Sequence, residues 1–144
     1  MSQLRWLSLV GVIVLALAGC GGDSKSEESE GGGEAEAACT GSPLSAAPNL
    51  PAKFPTFQSV TYTQQSTQGP TEIVEGYYEG DVEGAHDEVK SALEGAGFKI
   101  LFDELEEHDS EVSWQGQGRS GQVALRKECG DSDRTFVHIT NRPE

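Results

Sequence analysis

Hydrophobic and polar residues begin to alternate at Phe57, which is typical of a half-buried β-strand. Phe57 to Gln65 alternates and is rich in threonine, and Thr71 to Tyr78 contains isoleucine, valine and two tyrosines. These residue types favour strands. Gly69-Pro70 lies between the two stretches and breaks the pattern. The sequence therefore predicts two strands that form a hairpin.

The apolar spacing changes to that of a helix between Ala85 and Gly97. The apolar positions there are Ala85, Val89, Ala92, Leu93 and Ala96. Polar residues lie between them, so we expect an amphipathic helix of about three turns with His86 on its polar face. Gly95-Ala96-Gly97 is typical of a helix end.

Four further segments alternate after the helix, separated by turn-rich breaks at 108–110, 116–121 and 130–133. Their alternating apolar positions are Phe98, Ile100, Phe102, Val112, Trp114, Val123, Leu125, Val137 and Ile139. Short alternating segments joined by turns favour an antiparallel meander. We therefore expect a small two-layer α+β domain with a predominantly antiparallel sheet of about six strands and one helix, in the order ββαββββ.

The first residues of the chain carry a different pattern. Trp6 to Ala18 form an apolar run that only Ser8 and Gly11 interrupt, and Arg5 precedes it. As a helix this run would span about 20 Å, whereas the hydrocarbon part of a bilayer is about 30 Å thick. The pattern therefore indicates a signal peptide over residues 1–19 rather than a permanent transmembrane helix.

The apolar run ends in Leu17-Ala18-Gly19-Cys20, which resembles the lipobox of bacterial lipoproteins at all four positions. The resemblance implies a lipoprotein precursor that is cut between Gly19 and Cys20 and carries diacylglycerol, with acyl chains such as palmitate, on the sulfur of Cys20. Each buried methylene contributes about 0.8 kcal/mol, so two or three acyl chains make an anchor effectively permanent. An ordinary secretory leader that ends in cysteine is the alternative.

Residues 20–38 are dominated by glycine, serine and glutamate and offer no large apolar side chain to bury. This composition is typical of a disordered segment, so we expect a lipidated acidic tether. A cation site formed by Glu27, Glu28 and Glu30 is the alternative to a solvated spacer.

Four prolines follow in the segment 39–56, at Pro43, Pro48, Pro51 and Pro55. Proline fixes φ and lacks an amide donor, so neither a helix nor a central strand is expected there. We expect an extended collar that lies along the domain of residues 57–144 and contacts it through Leu50, Phe54 and Phe57. A proline-rich docking peptide for a partner is the alternative.

The net charge narrows the choice of partners. The chain has 144 residues and a formal charge of −14, which leaves room for one small domain after the leader and tether. A nucleic-acid partner is not expected, because a phosphate backbone needs a basic surface. The same sign argues against electrostatic binding to anionic lipid, so attachment to the bilayer has to come from the acyl chains.

Two cysteines remain once Cys20 carries lipid, namely Cys39 and Cys129. In an oxidising compartment outside the cytoplasm, such a pair predicts a disulfide. In the chain-entropy model, closing a loop of about 90 residues stabilises a fold by roughly 4 to 5 kcal/mol as an upper figure. A free thiol nucleophile, which would need a depressed pKa, is the alternative.

No motif for a metal, a cofactor or a nucleophile stands out. His86, His108 and His138 lack the spacing of a zinc site, and each is expected at the surface. The stretch 116–121 is rich in glycine but precedes no helix, which favours a hairpin loop over a phosphate site. We therefore expect a noncatalytic protein without a cofactor.

One charged cluster stands out as a candidate site, with six acidic residues in nine positions: Asp103, Glu104, Glu106, Glu107, Asp109 and Glu111. Such a hairpin end could collect a divalent cation or dock a basic partner. The interpretation we favour is the solvated end of a strand pair whose like charges discourage aggregation at a sheet edge. A carboxylate pair for glycoside hydrolysis would need a cleft, which the sequence does not indicate.

Two functions are consistent with these features. The first is a membrane-anchored extracytoplasmic lipoprotein of the cell envelope, a noncatalytic binding or interaction module that meets another envelope protein through its sheet face or acidic hairpin. The second is a small-ligand or cation-binding lipoprotein that serves a transporter. Tyr62, Tyr77, Tyr78 and Trp114 could line a binding surface, but packing within the domain is favoured.

Overall fold

The computed structural model describes residues 31–144. The predictions for earlier residues, namely the signal peptide, the lipobox with Gly19 and Cys20, and residues 20–30 of the tether, lie outside the described residues. The helices and strands are α1 Gly31–Thr40, β1 Val60–Gln68, β2 Thr71–Glu79, α2 Val82–Gly95, β3 Lys99–Leu105, β4 Asp109–Gly116, β5 Arg119–Arg126 and β6 Arg134–Pro143.

All six strands form one antiparallel sheet in the spatial order β1-β2-β6-β5-β4-β3. The last four strands form the expected meander, and β6 then pairs with β2 and joins the β1–β2 hairpin to it. The prediction of a small α+β domain with a mostly antiparallel six-stranded sheet is confirmed. The prediction of a single helix is wrong, because α1 precedes β1 in the described part of the chain.

Two-residue turns join β1 to β2 and β4 to β5. In the first turn, Gly69 has a φ of 58° and precedes Pro70. In the second, Gln117 and Gly118 have φ values of 58° and 70°. Because both central residues of this second turn have positive φ, its twist matches that of an antiparallel hairpin. The glycine-rich stretch 116–121 is therefore a hairpin turn with its flanking strand ends.

α2 begins one turn before the first apolar residue of the predicted helix, because Asp81 caps it. The carboxylate of Asp81 accepts a hydrogen bond from the amide of Gly84 at 2.8 Å, which satisfies an amide that has no partner within the helix. At the other end, Gly97 has a φ of 84°. The amide of Phe98 then donates to the carbonyl of Leu93 at 3.0 Å, an arrangement typical of a helix that ends at glycine.

The hydrophobic core lies between one face of the sheet and the layer formed by α2 and the part of the proline-rich segment that carries Leu50 and Phe54. Its buried side chains are Phe57, Val74, Val82, Ala85, Val89, Leu93, Phe98, Val112, Trp114, Val123, Leu125, Val137 and Ile139. Leu50 and Phe54 pack against this cluster. The ring of Phe54 lies 5.7 Å from the ring of Phe98 and 5.1 Å from that of Trp114. These aromatic contacts attach the proline-rich segment to the sheet.

α1 packs on the opposite face of the sheet, against β1, β2 and β6. Ala35, Ala38 and Cys39 are buried there with Phe136. The structure corrects the prediction of a disordered tether over residues 20–38, because residues 31–38 belong to this helix. Alanine and glutamate are strong helix formers, and small side chains three or four residues apart make a narrow face that approaches the sheet closely.

Cys39 and Cys129 form a disulfide, with their Cα atoms 5.5 Å apart and a sequence separation of 90 residues. The predicted pairing is confirmed. The bond joins the last turn of α1 to the loop between β5 and β6, so it fixes α1 to the end of the sheet.

Candidate interaction surface at the β3 edge

The two edge strands of the sheet differ in how their outer sides are covered. At β1, the amide of Leu44 donates to the carbonyl of Tyr62 at 2.8 Å, and the hydroxyl of Thr63 donates to the carbonyl of Ala38 at 2.8 Å. An edge strand otherwise presents a row of unpaired backbone groups. The proline-rich segment and α1 therefore cover the first half of β1.

β3 lies at the opposite edge, and no backbone hydrogen bond from an element other than β4 reaches Lys99–Leu105 within residues 31–144. All the large hydrophobic residues that are exposed in the described part of the chain lie on this seven-residue strand: Leu101 is 52% exposed, Phe102 47% and Leu105 43%. Single exposed apolar residues are common on protein surfaces, but a group of them on an unpaired edge marks a site of association. We call this strand, with its unpaired outer side, the β3 edge.

The exposure of Phe102 results from a bulge in β3. The pairing with β4 shifts between Ile100 and Phe102, so that Leu101 is an extra residue and Phe102 lies opposite Ser113. An extra residue reverses the face on which the following side chains lie. Strict alternation would place Phe102 in the core beside Ile100, and that expectation is wrong. The consecutive apolar residues 100–102 inside an alternating segment are the sequence signal for such a bulge.

The six acidic residues of the predicted patch do not form one cluster. Glu104 and Glu111 are cross-strand neighbours. Together with Glu106 and Asp109 they line a shallow depression of about 160 Å³ on the sheet face away from α2. Arg126 also lines it and lies 3.5 Å from the Asp109 carboxylate. The depression is therefore acidic but partly neutralised at one end.

The other two acids are separated from this group. Glu107 lies in the turn between β3 and β4, 3.8 Å from His108. Asp103 faces α2, where it forms an ion pair with Lys90 and lies 3.2 Å from the Nε2 of His86. The hydrogen bond to the Asp103 carboxylate raises the pKa of Lys90 above its usual value. Asp103 thus connects β3 to the helix instead of adding to the acidic depression.

His86 is buried, so the prediction that it lies at the surface is wrong. It follows Val82 by four residues and precedes Val89 by three, which places it within the apolar stripe of α2. Its Nδ1 lies 2.7 Å from the Oγ of Ser110 on β4. The contact with Ser110 and the nearby Asp103 carboxylate give both ring nitrogens a polar neighbour on the sheet, which allows the imidazole to be buried.

Ser110, His86 and Asp103 therefore form a chain of polar contacts with the residue types of a catalytic triad. Ser110 is 1% exposed, so its hydroxyl has no space for a substrate. The three residues come from β4, α2 and β3. The contacts hold the β3–β4 hairpin against the helix and position the β3 edge.

No protein-family model matches this chain, and no curated protein matches it in sequence. The role of the β3 edge is therefore inferred from its residues and geometry. No group of three or more His, Cys, Asp or Glu side chains within residues 31–144 is arranged to hold a metal ion. Neither α1 nor α2 is long and apolar enough to cross a membrane.

The remaining predicted candidates lie apart from the β3 edge. His108 is exposed, whereas His138 is only partly exposed and its Nδ1 lies 2.8 Å from the Oε1 of the buried Glu75. Four aromatic residues pack within the domain: Tyr62, Tyr77, Tyr78 and Trp114. Two larger depressions, of about 410 and 440 Å³, are lined mainly by polar and charged side chains. Leu101 lines the first of them.

Proposed function

We propose that this chain is a lipoprotein held on the extracytoplasmic side of a membrane by lipid on Cys20. Its folded part acts as a noncatalytic module that binds another protein of the cell envelope. The observation that carries the binding role is the group of exposed apolar residues on the β3 edge. Edges of this kind are rare on proteins that have no partner, because they promote aggregation.

The Leu17-Ala18-Gly19-Cys20 sequence supports the membrane anchor. The first described helix begins at Gly31, eleven positions after Cys20. An extended chain advances at most about 3.6 Å per residue, so the start of α1 lies within roughly 40 Å of the lipidated residue. The anchor would therefore keep the domain close to the membrane surface.

The disulfide between Cys39 and Cys129 supports an extracytoplasmic location. Disulfides persist in oxidising compartments and are rare in the reducing cytoplasm. The bond joins the end of α1 to the sheet. A force applied to the anchor would therefore pass from α1 to the sheet through the disulfide, and the small packing interface of α1 would not have to resist it alone. This arrangement suits a domain that is tethered at its amino-terminal end.

Replacement of the lipidated cysteine tests the anchor. We expect the wild-type chain to enter the detergent phase in a detergent partitioning experiment and Cys20→Ser to remain in the aqueous phase. Ser24→Ala, in the same segment, is the matched control and should partition like the wild type. An unmodified Cys20 sulfur in the mass spectrum of the mature protein, or a Cys20→Ser variant that has lost residues 1–19 and still enters the detergent phase, would contradict the proposal.

A photo-crosslinking amino acid at position 102 tests the binding role in cells that produce the chain natively. We expect an adduct of higher mass from position 102 and none from position 36, which is exposed on α1 near the opposite edge of the sheet. If no exposed position gave an adduct, and divalent cations or a metabolite panel raised the melting temperature, the chain would instead be a small-ligand lipoprotein.

A further inference from the structure

We infer that the unpaired side of β3 accepts an extended, basic segment of the partner protein, which joins the sheet as an additional strand. The inference rests on the proposed binding role and names the chemistry and the mode of that binding. It is carried by three features of the β3 edge: its unpaired backbone, its exposed apolar side chains and the carboxylates beside them.

The backbone of β3 offers donors and acceptors on its outer side. The amide of Glu106 donates to the carbonyl of Asp109 at 2.7 Å, so this pair bonds across the hairpin. Antiparallel strands alternate between bonded and non-bonded pairs. Glu104, opposite Glu111, is therefore bonded to β4, whereas the amides of Asp103 and Leu105 point away from it. An added strand would pair with these outward groups.

The side chains of the β3 edge specify the partner's composition. Beyond the bulge, Phe102, Glu104 and Glu106 share the face away from α2, because they alternate with Asp103 and Leu105. A neighbouring strand contacts side chains on the same face. The partner segment would therefore present an apolar residue beside Phe102 and lysine or arginine beside the two glutamates. On the other face, an apolar residue would cover Leu105.

A second copy of this chain is disfavoured at the acidic end of the same edge. Residues 103–107 read Asp-Glu-Leu-Glu-Glu. Antiparallel pairings that set these residues of two β3 strands opposite each other would place carboxylates beside carboxylates, and like charges opposite each other destabilise a strand pair. The same acidic residues that accept a basic strand therefore oppose self-association.

Two other occupants are also disfavoured by charge. Residues 20–30 of this chain contain four acidic residues and one lysine, so they would be repelled. Anionic lipid would be repelled for the same reason. The edge is also free of the amino-terminal helix, because α1 packs near β1, β2 and β6, and β6 lies three strand spacings, or about 14 Å, from β3.

A capped nine-residue peptide of alternating lysine and valine is the probe. Added to the full-length protein in detergent, it should slow hydrogen exchange at the amides of Asp103 and Leu105, and leave the amides of β1 unchanged. A peptide with glutamate in place of lysine should bind at least tenfold more weakly, because its charge matches that of the edge. A version of the lysine peptide with N-methylated backbone amides should also bind at least tenfold more weakly, because it cannot pair with β3.

Two variants test the side chains of the edge. Phe102→Ser and Glu104→Lys should each weaken peptide binding by about tenfold, since exposed aromatic anchors and complementary charges dominate small interfaces. Glu36→Lys changes the charge by the same amount on α1, far from β3, and should leave binding within about twofold of the wild type. Melting curves of the three variants establish that each remains folded.

Several results would overturn the inference. These are no binding of the lysine peptide, equal binding of its glutamate or N-methylated versions, protection that maps to β1, or equal weakening by Glu36→Lys and Glu104→Lys. Such results leave the proposed function intact if position 102 still forms adducts with an envelope protein in cells. Loss of those adducts, together with retained peptide binding, would contradict the proposed function while supporting a basic-strand site.

Discussion

β1 and β3 are the two edge strands of the same sheet, but they differ in composition and in how they are covered. β1 is rich in threonine and glutamine, has no exposed large apolar residue, and is covered over its first half by the proline-rich segment and α1. β3 exposes three large apolar residues and has no such cover within residues 31–144. The polar edge is protected, while the apolar edge is left free. Protection against aggregation alone would require the reverse arrangement.

The difference also extends to how each edge is held in place. The β1 side is fixed by a covalent bond, since the Cys39–Cys129 disulfide holds α1 on the sheet. The β3 side is fixed by the contacts of Asp103 and Ser110 with His86. The first arrangement resists strain on the amino-terminal end, whereas the second keeps an exposed strand in a defined position. Under the proposed function, the covered half of the sheet is the one nearer the anchor and the β3 half is the one that binds the partner.

Among changes at the two edges, removal of the disulfide on the covered side has the largest expected effect. The double variant Cys39→Ala with Cys129→Ala should lose up to about 4 kcal/mol of unfolding free energy, because the bond closes a loop of about 90 residues. Urea unfolding gives this value. Hydrogen exchange should become faster throughout the sheet because the whole fold is less stable, and the increase should be larger in α1 and the first half of β1 than in β3.

The wild type in a reducing agent is the control for this variant, and it should lose the same free energy. An unfolding free energy that did not change, or an increase in exchange as large in β3 as in α1 and β1, would show that the two halves of the sheet are not held independently.

Ionisation of Tyr62, on the covered edge, has the next largest expected effect on the unfolding free energy, and this effect depends on pH. Burial raises the pKa of Tyr62 to about 12, whereas tyrosine in an unfolded chain ionises near pH 10. The contribution of the neutral phenol to stability is complete below pH 10 and is lost as the pH rises from about 10 to 12. The total loss of unfolding free energy over this range is about 2 to 3 kcal/mol.

Tyr62→Phe is the matched variant, since it keeps the ring and removes the group that ionises. The hydroxyl of Tyr62 is buried without a hydrogen-bond partner among the described residues, so the variant should be at least as stable as the wild type at pH 7. The difference in unfolding free energy between variant and wild type should grow above pH 10. Parallel pH profiles would contradict the buried state of Tyr62.

A smaller loss is expected when the support beneath the β3 edge is removed. His86→Ala leaves the Ser110 hydroxyl and the Asp103 carboxylate without their shared partner, which should cost about 1 to 3 kcal/mol. A double-mutant cycle with Ser110→Ala, measured by urea unfolding, should give a coupling energy of at least about 0.5 kcal/mol. Strictly additive effects would mean that the 2.7 Å contact between these two residues contributes nothing.

The pattern of the chain predicted the sheet well because its strands alternate regularly. Val112, Val123 and Val137 occupy core positions as alternation requires. The pattern failed at α1, where the buried face consists of Ala35, Ala38 and Cys39 and no large side chain indicates burial. The stability of this helix on the sheet depends on the distant Cys129 and Phe136, which local propensity does not reveal.

Only part of the candidate surface could be predicted from the sequence. The acidic residues were visible in the sequence, but the bulge at Leu101 and the edge position of β3 depend on pairing with β4 and on the order of strands. The sequence groups Asp103 with the acidic patch, although its register opposite Val112 turns it toward α2. The sequence also predicts His86 at the surface, because a polar side chain within an apolar stripe shows no sign of its partners until the strands are assembled.

The smallest expected effect on stability concerns Phe102, and it bears most directly on the difference between the two edges. Phe102→Ala should change the unfolding free energy by less than about 0.5 kcal/mol, since the side chain is 47% exposed and lies outside the core. Phe57→Ala, at a ring that is 1% exposed, should cost about 3 to 5 kcal/mol. Urea unfolding of both variants checks the contrast. A phenylalanine that contributes so little to the fold still costs solubility on an unpaired edge, and the proposed binding role would account for its presence. If Phe102→Ala proved as destabilising as Phe57→Ala, the β3 edge would be part of the core, and the distinction between a protected edge and a free one would be lost.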